Sequence, residues 1–375
     1  MSQAHDPQHQ VLFNPIAFGA HTLRNRIVMS PMTRQRSPGG IPGEQSVAYY
    51  RRRAEGGVGL IVTEGTCIGH PAAHGYNHVP DLFGDQALEG WKSVVAAVHK
   101  AGARIVPQLW HVGPIRRLGM APAPQVPGYG PMEIREGGEV VVKAMTLADI
   151  DEVVEAYAQA ARDAQAIGFD GVEIHGAHEY LIDSFIWQRS NQRDDEYGGS
   201  LANRTRLAAR IVRAVREATG PGFPILFRFS QWKISDYDAR IVEDAEQLKV
   251  FLQILVDAGV DIFDVSTRRC WEPAFAGSSD SLAAWTRRLS GKPVVMVGSV
   301  GLDKVYSIAQ LRGNESADAG QGDLTPVLGQ LQSGAVDLVA LGRMLLADPQ
   351  WPNKVLENRL AEIRRFDREA MLTEV

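Results

Sequence analysis

The chain has 375 residues, 45% of them hydrophobic and 22% charged, which suits one large globular domain or two ordinary ones with ample core. A net charge of −5, with no basic block longer than Arg51-Arg52-Arg53, argues against nucleic acid as a partner. Cys67 and Cys270 are the only cysteines, too few for an iron–sulfur cluster or a four-cysteine zinc site, and two free thiols fit a cytoplasmic protein.

Met1 to Gln10 is polar and lacks the apolar centre of a signal peptide, and no run of about 18 apolar residues offers a membrane span. Leu12 to Leu23, punctuated by Asn14-Pro15 and Gly19, reads as a short hairpin ahead of the main fold. A rhythm follows. Apolar, β-rich runs at 26–30, 59–63, 104–108, 171–174, 224–228, 261–265, 293–297 and 337–341 alternate with helical stretches. Thr146 and Asp149 make a capping box, and Ile150, Val153, Val154, Tyr157, Ala161 and Ala164 continue at helical spacing to Gly168. Other helices end in Ala-Gly, at Ala101-Gly102 and Ala258-Gly259, as turns into a following strand do. Eight such strands imply a parallel sheet closed as a (β/α)8 TIM barrel. No G-x-G-x-x-G follows the first strand, which argues against a Rossmann fold.

Two excursions break the rhythm. Residues 114–145 are rich in Pro and Gly, with a hairpin expected at Gly137-Gly138, and form either a lid or a solvated insertion. Arg116 and Arg117 near its start suggest a preference for anionic substrates, unless both are simply solvated. Leu311 to Gln321 reads as a polar surface loop.

One stretch does not finish as a strand should. After Val172-Glu173-Ile174 come His175, His178 and Tyr180, three hydrogen-bonding side chains at a strand's C-terminal end, where a barrel keeps its active site. Satisfied core histidines are the plainer reading, and Glu173, His175 and His178 could also be metal ligands of a barrel hydrolase. The other strand ends supply Ser30-Pro31-Met32-Thr33, Glu64-Gly65, Gln108-Leu109-Trp110-His111, Arg228, Gly298-Ser299 and Gly342-Arg343. The last two pairs lie after strands seven and eight, where barrels bind phosphate. Gln108 can donate and accept together, as an imide edge needs, and Arg228 is a permanent cation. The set suits a flat polar ring with a phosphate tail.

In Asn25 to Thr33, Gln108 to His111, Glu173 to Tyr180, Asp195-Glu196-Tyr197-Gly198-Gly199-Ser200 and Leu341-Gly342-Arg343, the chain resembles the Old Yellow Enzyme family of FMN-dependent ene-reductases, from about Leu12 to Pro352. The resemblance implies a single FMN-binding barrel over residues 1–375, monomeric or homo-oligomeric, with NADH or NADPH as reductant and an electrophilic alkene as substrate. By the same resemblance Thr33 meets the flavin C4 oxygen, Pro31, Met32 and Gly65 line the ring, Gln108 holds the pyrimidine edge, and Arg228 sits by N1 and the C2 oxygen. Gly298, Ser299, Gly342 and Arg343 take the phosphate. His175 and His178 would bind the activating oxygen of the substrate, Tyr180 would deliver a proton, and Tyr76, Trp110 and Phe275 would shape the pocket. The 195–200 segment is read as a bend that sets the next helix. The runs Gln231-Trp232-Lys233 and Arg268-Arg269-Cys270-Trp271 depart from the family pattern, which leaves substrate identity open. An FMN-binding redox protein without ene-reductase activity is a further alternative, as is an approach of Cys67 or Cys270 to the site rather than plain packing.

Overall fold

Eight parallel strands close into a barrel, with the first of them in the chain paired to the last. The computed structural model describes residues 8–303, 319 and 322–367; of the loop read at Leu311 to Gln321, all but Ala319 lies outside them. The barrel strands are β3 (Ile27–Met29), β4 (Leu60–Cys67), β5 (Arg104–Trp110), β9 (Val172–Gly176), β10 (Ile225–Ser230), β11 (Ile262–Ser266), β12 (Val294–Val297) and β13 (Leu338–Leu341). Each falls on one of the eight runs read in the sequence. The remaining strands are accessory. β1 (Ile16–Phe18) and β2 (His21–Leu23) form the expected antiparallel hairpin. β6 (Gly128–Gly130), β7 (Ile134–Glu136) and β8 (Glu139–Ala144) form a small sheet within the excursion, with β7 and β8 turning at Gly137 and Gly138, both at positive φ.

The helices that pack outside include α1 (Glu44–Glu55), α2 (Asp85–Lys100), α3 (Leu147–Ala166), α4 (Leu181–Ile186), α5 (Leu201–Thr219), α6 (Ala245–Ala258) and α7 (Leu282–Ser290). The capping box of α3 is present as read, with Thr146 accepting the Asp149 amide and Asp149 accepting the Thr146 amide. Gly259 closes α6 in the left-handed region, where a Cβ would be strained. The 195–200 bend does set α5: Asp195 accepts the Tyr197 amide, and Ser200 caps the helix by accepting from Asn203.

Strand periodicity sorts the core into two shells. Ile61, Ile105, Ile174, Phe227 and Phe263 face outward and pack under the helices. Val28, Leu60, Val62, Val106, Leu226, Ile262, Val295, Leu338 and Ala340 fill the barrel's interior, and Phe18 and Leu23 from the β1–β2 hairpin join them. The hairpin therefore floors the barrel, and the apolar plug leaves only the C-terminal ends of the strands for polar chemistry.

One sequence reading changes. Arg116 is not a substrate-facing cation. It is fully buried, and its guanidinium donates to the carbonyls of His74, Met120, Ala123 and Val126, stapling the excursion to itself and to the segment after β4. Arg117 is exposed and donates to Pro114 O. Arg193 adds bonds to Pro131 O and Met145 O, so the excursion is pinned at both ends. Cys67 and Cys270 are buried free thiols, and burial pushes both up, Cys270 to about 12, which makes them packing groups rather than nucleophiles.

Candidate active site

The site is built from the inward positions just above the apolar plug. On β5, Val106 belongs to the plug, and two residues on comes Gln108; on β10, Leu226 is followed by Arg228; on β11, Ile262 is followed by Asp264 and Ser266. Register aligns them: Leu226 sits beside both Glu173 and Ile262, and Arg228 beside both His175 and Asp264. Gln108 sits beside Glu173, one inward step below Arg228 and Asp264, and the four make up a polar layer two steps deep. Gln108 donates to Glu173 Oε1 at 2.8 Å, and Arg228 Nη1 to Asp264 Oδ2 at 2.9 Å.

Above this layer lies a cavity of about 560 Å3. Pro31, Met32, Thr33, Arg228, Gly298, Ser299, Gly342 and Arg343 all line it, as does His178. Glu64 fixes the loop that carries Thr33, accepting the Arg34 amide at 2.9 Å. At the far end Gly298 and Ser299 both have positive φ. A Cβ on Gly298 would meet Thr267 Oγ1 at 2.4 Å, so only glycine fits. Ser299 Oγ donates to Arg268 O and accepts from Arg343 Nη2 at 3.4 Å. Gly65 lies in β4 and is not among the residues lining the cavity; a Cβ there would strike the Trp110 ring at 2.4 Å.

The aromatic wall continues from there. Tyr76 stacks on Trp110, whose ring lies edge-on to Tyr180 at 4.9 Å, and the phenol oxygens of Tyr76 and Tyr180 are 3.0 Å apart. His175 packs 5.1 Å from both His178 and Tyr180. Five of the expected side chains are therefore together. Phe275 is not among them; its ring packs on Trp285 of α7.

Burial sets the protonation states. It holds His175 well below the ordinary histidine value, with Arg228 adding to the effect, and does the same to His178, helped by His175 and Arg228. Both imidazoles are neutral and can donate to a carbonyl or nitro oxygen. His178 Nε2 lies 2.8 Å from Ser266 Oγ, whereas His175 Nδ1 is buried without a partner. Burial raises Tyr180 well above the ordinary phenol value, and Tyr76 adds to the rise, so its proton is retained.

Sequence reasoning missed what holds this group in place. His178 and Glu179 both have positive φ, at 63° and 71°, with no glycine to ease the turn. Asp183 accepts the Glu179 amide at 2.6 Å and pairs with Lys233 at 2.9 Å, both side chains fully buried. Lys233 also donates to Ser230 O and Gln231 O, and Ser230 Oγ accepts the His178 amide. The Gln231-Trp232-Lys233 run, seen in the sequence only as a departure, is the strut under the histidine turn. Trp232 lies 4.3 Å from the His178 ring and opens, with Ser266, Thr267 and Arg268, onto a second cavity of about 370 Å3. The rival metal set does not assemble. Among the described residues the group spaced for a metal ion is Cys67, His74 and Asp81, not Glu173, His175 and His178.

A sequence profile described as the NADH:flavin oxidoreductase / NADH oxidase family matches residues 11–317. The chain belongs to that family. A NADH oxidase of Thermoanaerobacter brockii is 33% identical over 94% of the chain, which spans about half (52%) of that relative's length. A 12-oxophytodienoate reductase of Arabidopsis thaliana is 30% identical, with 100% of this chain and 95% of the relative covered. Among solved structures, morphinone reductase with tetrahydroNAD superposes at TM-score 0.78, with 28% identity and 96% and 93% of the two chains covered. The Old Yellow Enzyme homologue of Zymomonas mobilis gives 0.77, 28%, 97% and 97%. The protein is thereby placed among NAD(P)H-dependent flavin oxidoreductases of the Old Yellow Enzyme type, with FMN as cofactor. The residues present fit that cofactor. Arg228 Nε is buried, lines the cavity and has no partner, and Gly298, Ser299 and Arg343 gather at the opposite end. Among the described residues no helix is long and apolar enough to cross a membrane.

Proposed function

We propose that the whole chain is one FMN-binding domain that uses NADH or NADPH to reduce the C=C bond of alkenes activated by a carbonyl or nitro group. Pro31, Met32 and Thr33 flank the ring, with Gly65 behind. Gln108 and Arg228 meet its pyrimidine edge, and Gly298, Ser299, Gly342 and Arg343 hold the phosphate. When bound, FMN supplies the hydride.

The chain's own residues do the rest. Neutral His175 and His178 donate to the activating oxygen and stabilise the charge that gathers there, a role worth about 3 kcal/mol. The phenol of Tyr180 gives its proton to the carbon next to the activating group. Tyr76 and Trp110 form a wall that excludes water, and the cavity beyond Trp232 takes the remote part of the substrate.

The observation that carries this reading is the packing of His175 against both Tyr180 and His178, with His178 lining the same cavity as Arg228 and Arg343. The pure protein should be yellow, release FMN on denaturation, bleach with a nicotinamide and recover its colour with an enone such as cyclohexenone. Bound FAD, or no flavin after reconstitution, would reject it. A bleached flavin that enones cannot reoxidise would favour a redox protein instead.

A further inference from the structure

The polar layer contains two acids that the chemistry above does not use. Glu173 and Asp264 are both fully buried, on β9 and β11, to either side of Arg228 on β10. Each has one oxygen engaged: Glu173 Oε1 accepts from Gln108 Nε2 at 2.8 Å, and Asp264 Oδ2 from Arg228 Nη1 at 2.9 Å. The other two oxygens, Glu173 Oε2 and Asp264 Oδ1, are buried with no donor in reach. They belong to carboxyl groups close enough to hydrogen-bond each other.

Two ionised carboxylates cannot share such a place. Like charges in contact, out of water and with a single cation between them, force one group to take a proton. The partners decide which. Asp264 has the charge-assisted bond to Arg228, which favours its ionised form; Glu173 has only a neutral amide. Burial raises both groups, Glu173 well above the usual carboxylate range with Asp264 pushing it further, while Arg228 restrains the rise at Asp264.

We propose that Glu173 and Asp264 share one proton, carried by Glu173 and donated to Asp264, so that ionised Asp264 matches Arg228 and the layer is neutral overall. The other groups nearby do not upset the count. His175 and His178 are neutral, Lys233 is paired with Asp183, and Arg268 is stacked on Tyr237 at 3.8 Å. The consequence rests on the placement of the flavin's pyrimidine edge beside Arg228 and Gln108. Asp264 damps the attraction of Arg228 for the negative charge of reduced flavin, and so holds the flavin's potential below what the arginine alone would set. Asp264 and Glu173 are positioning residues for Arg228 and Gln108.

The test has two readouts. Infrared difference spectra of flavin-free protein at pH 7 should show the C=O stretch of a buried protonated carboxyl that disappears in Glu173→Gln. Its absence from the wild type, or its survival in that variant, overturns the shared proton whatever the flavin does. In the FMN-loaded protein, Asp264→Asn should shift the midpoint potential positive, while Glu173→Gln, which replaces one neutral group by another, should leave it near the wild-type value. Equal positive shifts in both variants mean that Glu173 is ionised, and no shift in Asp264→Asn means that the pair does not act on the flavin; either overturns the proposal. Arg228→Gln separates this from the placement of the flavin. If the potential does not fall, the flavin edge is elsewhere, and the infrared result alone judges the pair. Should Asp264→Asn fail to fold, the wild type and Glu173→Gln still decide the matter.

Discussion

The phenol oxygen of Tyr180 lies 3.0 Å from that of Tyr76, and Tyr76 in turn stacks on Trp110 at 5.4 Å. The proposed proton donor is thus held by a tyrosine whose own ring is fixed against Trp110. Tyr180→Phe keeps the ring and removes the proton. In rapid mixing, bleaching by NAD(P)H should stay near normal, while reoxidation by cyclohexenone should slow by about 10²-fold or more. Tyr76→Phe removes only the orienting partner and should slow reoxidation by less than about tenfold. Wild-type reoxidation by Tyr180→Phe would move the proton donor elsewhere.

Arg343 is expected to hold the cofactor's phosphate. A charge-assisted bond of this kind contributes about 1.5–3 kcal/mol. Arg343→Ala should therefore raise the dissociation constant for FMN about tenfold or more, measured by fluorescence on reconstitution. Flavin retained as tightly as in the wild type would put the phosphate at another place.

Glu179 combines strain with anchorage. Its φ is 71°, and its carboxylate accepts the Ser235 amide at 3.0 Å and hydroxyl at 2.8 Å. Both Glu179→Ala and Glu179→Gly lose the anchor, but only glycine relieves the backbone. The glycine variant should be the more stable by about 1 kcal/mol in denaturant melts. Equal stabilities would show that the left-handed turn stores no strain.

Lys233 and Asp183 form an ion pair in which neither side chain is exposed. Removing one partner strands a buried charge. Lys233→Met should cost about 3–5 kcal/mol, and the double variant Lys233→Met with Asp183→Leu should recover much of it. Because Asp183 and Lys233 also support the turn at His178, the double variant should still bind a substrate oxygen poorly. Full recovery of both stability and binding would make the pair dispensable.

His70 and His111 face each other, nitrogen to nitrogen, at 3.0 Å, and burial holds His70 down to about 4 and His111 well below its usual value. The folded value of His70 lies below the unfolded one near about 6.5. The unfolded chain therefore takes the proton first, and the stability linked to His70 is complete above about pH 6.5 and lost as the pH falls toward 4. The stability of His70→Asn should fall less steeply over that window. Glu64, Asp183 and Glu173 are raised carboxyls that act in the opposite sense, so the wild-type minus variant difference is the quantity to measure. Identical slopes would exclude His70 as an acid-sensitive group.

The barrel was legible because each of its strands after the first is a short apolar run between a glycine-closed helix and a polar exit, and those signals are local. The histidine pair, Tyr180 and the Gly342-Arg343 end were legible for the same reason, as polar residues leaving apolar strands. What stayed hidden depends on pairing across the barrel. Asp264 reads as one acid inside an apolar strand, and only its register with Arg228 gives it a meaning. Lys233 and Asp183 are 50 residues apart, each ordinary until both are buried. Arg116 was misread because a basic residue in a Pro/Gly-rich segment looks open to substrate or solvent, and nothing local shows that four carbonyls fold around it.

Closure of the barrel joins its first strand to its last: Ile27 pairs with Val339, and Arg26 donates to Asp337 O across 311 residues of sequence. On a ribosome adding about 5–20 residues per second, β3 must wait roughly 15–60 s for its partner to emerge. Until then one of its edges has unpaired amides and carbonyls, and a neighbouring nascent chain can offer the same partner. Yield during synthesis should therefore depend on how crowded the translating ribosomes are, and slowing initiation should help this protein more than slowing elongation.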